Sequence, residues 1–349
     1  MGSGGSQKIF VTVKSYSKRG QLLKRPDLQT LAESRDLDEL VTRIKNTKYL
    51  EAVNSVSKPY TAEKLEMALK TYLANQQFKI AKASGNAKIL DAFFQKFLIS
   101  NLKLILKGKI LGKTQEEISA YFNMHAEELT KQRDTVVKAL VAKDLEEAVS
   151  SLGSSPFNAE IQKAVELYNE TKNIQAFDIY FDKMFYQNVS KSLRSENDQD
   201  ISHIFGMEID FYNVMSVVRG KFWGLDDERI QELSCSATLN IPNQVMDRMR
   251  AAESVKDALD ELSSTRYKDL IPETEDEVEA IAEFEHAFEM AYYKAINGSF
   301  SKMFSFATVI GISKLIGYEV RNIGAIAFAV EQKIPVETTM SKLIIKEAE

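Results

Sequence analysis

Asn101-Leu-Lys-Leu-Ile-Leu-Lys-Gly-Lys-Ile-Leu-Gly112 and, 112 residues further along, Asn213-Val-Met-Ser-Val-Val-Arg-Gly-Lys-Phe-Trp-Gly224 are two versions of one pattern. Each opens on an asparagine inside an apolar helical stretch, sets a basic residue, a glycine and a lysine at the same spacing, and closes on a second glycine. Ile118 and Ile230 follow at equal distance. A glycine at this place is what a helix end needs where φ turns positive, and Thr114 with Glu117 supplies a capping box to start the next helix. Near the end of the chain Asn322 precedes Ile334-Pro335 by the distance that separates Asn213 from Leu225-Asp226, with both glycines of the break replaced.

The repetition extends upstream of this stretch. Leu37, Glu39, Leu40, Ile44, Thr47 and Tyr49 recur as Leu145, Glu147, Ala148, Leu152, Ser155 and Phe157, and again as Val255, Asp257, Ala258, Leu262, Thr265 and Tyr267. Between these sets and the asparagines lies a helical stripe: Leu65-Glu66 with Leu69 and Leu73, Phe177-Asp178 with Phe181 and Phe185, Phe284-Glu285 with Phe288 and Tyr292. Three landmarks in one order in three segments indicate a tandem triplication. The expected organisation is a flexible lead over 1–15 and helical repeats over 16–124, 125–238 and 239–349. Apolar residues recur at three- and four-residue steps almost throughout, with six prolines and fifteen glycines in 349 residues, so the reading is all-α, three tandem helical bundles. Phe10-Val-Thr-Val13 is compatible with a short strand or a helical lead-in. The acid of the first landmark reads as part of an amphipathic stripe.

Composition narrows the function. With 44% hydrophobic residues the chain can bury a core in every repeat. Its 45 basic and 50 acidic residues nearly balance at a net charge of -5, which gives no field to draw nucleic acid or anionic lipid to the whole surface. The single cysteine, Cys235, builds neither an internal disulfide nor a thiolate metal site. Met1 to Ser6 lacks the apolar core of a signal peptide. The apolar run Met303–Ser313, bounded by Lys302 and Lys314, is shorter than the roughly 18–20 residues of a membrane span. With Gly311, Gly317, Gly324, Ala325 and Ala327 allowing close helix packing, the segment through Val330 reads as core.

No catalytic, cofactor or metal site is read. Gly108-Lys-Ile-Leu-Gly-Lys-Thr114 resembles a phosphate-binding loop, but it has three residues between its glycines where four are required, follows a helical stretch rather than a strand, and has no Lys-Thr in its second copy. His125, His203 and His286 stand apart, with no metal-ligand spacing between any two. Glu208 with Asp210, Glu283 with Glu285, and Glu116 with Glu117 read as solvated faces or helix starts rather than paired general acids. Phe222 and Trp223 read as a buried plug between helices in preference to an exposed anchor.

Lys314-Leu-Ile-Gly-Tyr-Glu-Val-Arg-Asn-Ile-Gly-Ala-Ile326, followed by Glu331-Gln-Lys-Ile-Pro335 and a last helix, resembles the C subunit of archaeal and bacterial A-type (V/A-type) ATP synthases, whose counterpart in eukaryotic vacuolar ATPases is the d subunit. The Glu-x-x-Asn signature before a helix break has its second-copy counterpart in Asp210-Phe-Tyr-Asn213, while Leu98 replaces the acid in the first copy. The resemblance, running from about Tyr16 to Ile345, implies three helical bundles in a pseudo-threefold funnel on the cytoplasmic face of a membrane. It further implies a non-catalytic rotor adapter without cofactors, linking the central stalk to the proteolipid ring. Helix breaks such as Gly112, Gly224 and Pro335 are then the expected contact end, with Arg219, Lys221 and Trp223 as candidate partner contacts. The rival classes are a helical-repeat scaffold for soluble partners and a helical enzyme, which a deep pocket of perturbed titratable groups would reveal.

Overall fold

The computed structural model describes residues 3–84, 88–119, 121–122, 133–194, 198–235, 239–301 and 305–346, and helices are the only regular elements among them. In chain order these are α1 (Ser3–Arg19), α2 (Arg25–Ala32), α3 (Leu37–Lys45), α4 (Leu50–Asn54), α5 (Ala62–Ser84), α6 (Lys88–Ile110), α7 (Gln115–Ser119), α8 (Arg133–Val141) and α9 (Leu145–Ser151). They continue as α10 (Asn158–Thr171), α11 (Ala176–Leu193), α12 (Gln199–Phe222), α13 (Asp227–Leu233), α14 (Asn243–Ala251), α15 (Val255–Asp260), α16 (Glu277–Gly298), α17 (Ala307–Gln332) and α18 (Val336–Lys342). The segment expected to be a flexible lead is helical from Ser3, and the Phe10–Val13 stretch is helix rather than strand. Its Val11, Thr12 and Ser15 lie on one helical face and are buried, which a polar lead would not achieve.

The chain forms two compact units, residues 1–85 with 289–349, and residues 86–288. In the first, α17 runs along α5 and also packs on α1, α2 and α3. Its core includes Leu28, Leu40, Ile44, Leu65, Leu69, Ile80, Ile310, Ile323 and Ile326, each such side chain stabilising the fold by roughly 1.5–3 kcal/mol when buried. In the second, α11 packs on α6 and α10, and α12 on α13 and α15. There Phe93, Phe177, Phe181, Phe205 and Phe284 are fully buried, and Phe211 stacks on Phe288 at 4.4 Å between centroids.

The acid of the first landmark does more than fill a stripe. Asp36, Asp144 and Ser254 cap α3, α9 and α15 by accepting from the backbone N–H of Glu39, Glu147 and Asp257. Each landmark acid therefore sits in the first turn, where the helix dipole and the exposed N–H groups favour it. The hydroxyl of the same landmark closes the following turn: the N–H groups of Tyr49, Phe157 and Tyr267 donate to Thr47, Ser155 and Thr265.

Three of the long helices, α6, α12 and α17, end alike. Eleven residues after the asparagine the backbone turns left-handed, at Gly112 (φ 65°), Gly224 (φ 68°) and Lys333 (φ 57°). The next N–H then donates back across the turn, from Lys113 to Gly108, Leu225 to Gly220 and Ile334 to Ala329, at 2.9, 2.9 and 2.8 Å. This is the hydrogen-bond pattern that ends a helix through a left-handed residue. Gly108 and Gly220 are also required by packing, since a Cβ on either would lie 2.6 Å from Cγ1 of Ile118 or Ile230. In the third helix Ala329 and the buried Thr339 occupy the same two places, a larger residue facing a smaller one.

Candidate functional site

The residues of the Glu-x-x-Asn signature fasten distant chain segments to the long helices. Buried Asn322 in α17 donates from Nδ2 to the Ile344 carbonyl at 2.8 Å and accepts the Ile344 N–H at 3.1 Å. Its amide stands in for a strand partner where the chain has left the helix and its backbone groups have none within a ladder. In α12 the Oδ1 of Asn213 accepts the Cys235 N–H at 2.8 Å, again 22 residues downstream. Asn101 is fully buried as well. Glu331, at the end of α17, accepts the N–H of Ala62 and so caps α5.

The acid three residues earlier joins segments still further apart in sequence. Asp210, fully buried, accepts from the N–H groups of Leu239 and Asn240, from Asn240 Nδ2 at 2.8 Å and from the Tyr267 hydroxyl at 2.8 Å. Burial pushes its carboxyl up and these donors pull it back; burial, followed by the nearby Asp210 charge, raises the Tyr267 phenol. Glu319 instead pairs with Lys48 Nζ at 2.6 Å and accepts the Leu23 N–H at 2.7 Å. Here too desolvation is the leading cause, raising Glu319 and lowering Lys48. Tyr49 lies beside this carboxylate, and burial followed by the Glu319 charge pushes its buried phenol well up.

Lys48-Tyr49 and Arg266-Tyr267 are equivalent in the repeat pattern, as are Glu319 and Asp210. At the remaining set of positions stand Pro156-Phe157 and Leu98, with Leu98 and Phe157 both buried. The chain thus carries a cation, a tyrosine and an acid at two places and only apolar groups at the third. Glu208 and Asp210 are buried in the middle of α12, so the expectation of a solvated acid pair is corrected for them. Glu116 and Glu117 do sit exposed in the first turn of α7, where Thr114 and Glu117 form the expected capping box.

The three candidate contacts lie at the end of α12. Arg219 pairs with Glu285 at 3.2 Å and Lys221 with Asp227 at 3.1 Å, so both cations serve their own unit. Lys107 and Asp178 make the counterpart of the Arg219 bridge between α6 and α11. Trp223 is 49% exposed and Phe222 43%, which corrects the expectation of a buried plug. Leu111 and Ile334, beside the left-handed turns of α6 and α17, are exposed too.

Gly108 belongs to helix α6 and Gly112 to its left-handed end, which is helix-break geometry rather than a strand-to-helix phosphate loop. The neighbouring cleft of about 700 Å³ is lined by Lys103, Lys107 and Lys113, each paired with an acid. Among the described residues no group of three His, Cys, Asp or Glu side chains is placed to hold a metal. His203 and His286 lie on α12 and α16, and His125 lies outside the described residues.

Residues 11–342 match the ATP synthase (C/AC39) subunit family. The chain belongs to this family. Its relatives include the A-type ATP synthase C subunit of Methanocaldococcus jannaschii, 27% identical across 96% of this chain and 86% of that protein. The corresponding A-type ATP synthase proteins of Thermococcus onnurineus (26%, 94% of this chain, 87% of that protein) and Thermococcus kodakarensis (27%, 82% and 76%) are similar over most of their length as well. The C/AC39 match thus includes the long helices α6, α12 and α17, the clamp asparagines Asn213 and Asn322, and the signature that carries the family resemblance.

Proposed function

We propose that this chain is a non-catalytic adapter of a rotary A/V-type ATPase or ATP synthase, joining the central stalk to the proteolipid ring and passing torque between them during ATP-coupled proton or sodium transport. In this reading the repeats over 16–124, 125–238 and 239–349 form a pseudo-threefold funnel at the cytoplasmic face of the membrane. Family membership over 11–342 carries the proposal. Three features support it. The helix breaks at Gly112, Gly224 and Lys333 share one backbone geometry. The long helices are tied by buried side chains to segments remote in sequence, which suits a part that must be stiff. No described helix is long and apolar enough to cross a membrane, so the contact with a ring is made from outside the bilayer.

Trp223, together with Leu111 of the same unit, is the partner-facing group in this proposal, because aromatic anchors dominate protein interfaces and the Arg219 and Lys221 charges are already paired. The test is purification of tagged chain from detergent-solubilised membranes of the parent organism, with mass spectrometry of what accompanies it. Recovery of the proteolipid and the stalk proteins supports the adapter; recovery of soluble proteins alone overturns it in favour of a scaffold. Trp223→Ser lowers the yield of one of these partners while leaving the fold intact.

A further inference from the structure

Helix α1 turns its polar side inward. At about 100° per residue, Val11, Thr12 and Ser15 share the side that packs on α5 and α17 and are buried, with Lys8, Lys18 and Arg19 within or beside the same arc. Ile9, Phe10 and Val13 point the other way and are exposed. Among the described residues of α1, Val11 is thus the one aliphatic side chain taken out of water, whereas α17 buries Val309, Ile310, Ile312, Leu315, Ile316 and Ile323.

The hold of α1 on its unit is therefore mainly polar. The Tyr16 hydroxyl donates to the Phe300 carbonyl, Arg19 lies over the Phe300 ring and donates to Asn297, Lys8 lies over Phe306, and Lys18 donates to the buried Gln76 of α5. The next residue, Gln77, donates to the Ser313 carbonyl, so α5 and α17 also meet through polar groups beside this contact. Two buried hydroxyls, those of Thr12 and Ser313, find no hydrogen-bond partner among the described residues. A buried hydroxyl in that state weighs against the docked helix, because lifting the helix returns the group to water. Lys18 acts in the same sense: burial, then the charges of Lys14, Lys79 and Lys48, lower its pKa, and burial and the Lys79 and Lys48 charges are relieved when α1 lifts.

We infer that α1 is a releasable strap, which lies across α5, α17 and the connection between α16 and α17 and lifts as one body while those helices stay folded, uncovering Phe300. The ring contacts and hydrogen bonds give it one docked position. The near absence of buried apolar surface makes that position easy to leave, and a segment with few buried apolar contacts is the kind that opens without global unfolding.

The inference stands on α1 and its contacts and not on the adapter reading, so it is tested on the purified full chain by native-state hydrogen exchange. The expected result is that the amides of residues 11–19 exchange through one common opening, on the order of 100-fold or more faster than those of α17 around Ile316, while the chain as a whole stays folded. Thr12→Val, which replaces the hydroxyl by a methyl group of like size, slows the α1 opening roughly fivefold or more and leaves α17 unchanged. Ser313→Ala acts in the same direction. Protection of α1 equal to that of α17, or exchange graded inward from Ser3 as in a fraying helix end, would overturn the inference. Unchanged or faster α1 exchange in both variants would overturn it too, since the hydroxyls would then not be working against the docked helix.

Discussion

Asp210 in α12 and Glu319 in α17 stand three residues before their clamp asparagines, are both buried, and both lie beside a tyrosine that follows a cation. They are compensated differently. Asp210 is held by neutral donors, two backbone N–H groups, an amide and the Tyr267 hydroxyl, while Arg266 reaches it only through Asn240. Glu319 is held by Lys48 directly, with the Tyr49 phenol beside it. A buried carboxylate can be offset by a ring of dipoles or by one ion pair, and the two choices fail differently when a partner is removed.

The largest effect is expected at the ion pair. Lys48→Met leaves Glu319 buried without its cation and lowers stability by about 3–5 kcal/mol in urea unfolding, whereas Arg266→Met, which removes an exposed contact to Asn240, costs under about 1 kcal/mol. The tyrosines should split in the opposite sense. Tyr267→Phe takes a hydrogen bond from a buried carboxylate that has no cation of its own and costs about 1.5–3 kcal/mol, while Tyr49→Phe leaves Glu319 still held by Lys48 and costs less, under about 1.5 kcal/mol. Equal costs for the two would dissolve the distinction.

The helix breaks give a third comparison. Gly220→Ala drives a Cβ against Ile230 and costs about 1–3 kcal/mol. Adding Ile230→Thr reproduces the Ala329–Thr339 combination of α17, and the double variant should lose less than the sum of the single losses. The smallest effect concerns pH. Burial raises the Asp210 carboxyl above its ordinary 3.8, so between that value and the raised one the native state holds a proton that the unfolded chain has released. That contribution to stability is complete below the ordinary value and fades as pH rises through the raised native one. The deficit of Asp210→Asn against the parent is therefore larger at about pH 4 than at about pH 8, as paired urea titrations would show.

Much of this is legible in the sequence. Apolar periodicity gives the all-helical class, Gly112 and Gly224 mark two helix ends, and Glu319 with Asn322 points to the family. What the sequence hides is long-range or unmarked. The Lys48–Glu319 pair spans 271 positions, and no periodicity within a helix reports such a contact. Its one trace is that Leu98 lacks an acid and Phe157 a phenol at matching places, a coincidence visible in the sequence once the two columns are read together. The left-handed Lys333 carries no glycine to announce it, because the surrounding turn stabilises a conformation that costs an ordinary residue roughly 1–2 kcal/mol. Trp223 runs against expectation because a large aromatic is more often covered than exposed. Helix α1 is masked by a glycine- and serine-rich start that outweighs the spacing of Val11, Thr12 and Ser15.

The proposal that this chain joins a stalk to a ring through three like helical units is tested most directly by electron cryo-microscopy of the complex purified through a tag on this chain. The predicted result is three superimposable units around one axis, each with its asparagine-bearing helix and left-handed break, seated between the proteolipid ring and the stalk. A chain located away from the ring, or units that do not superimpose, would contradict it.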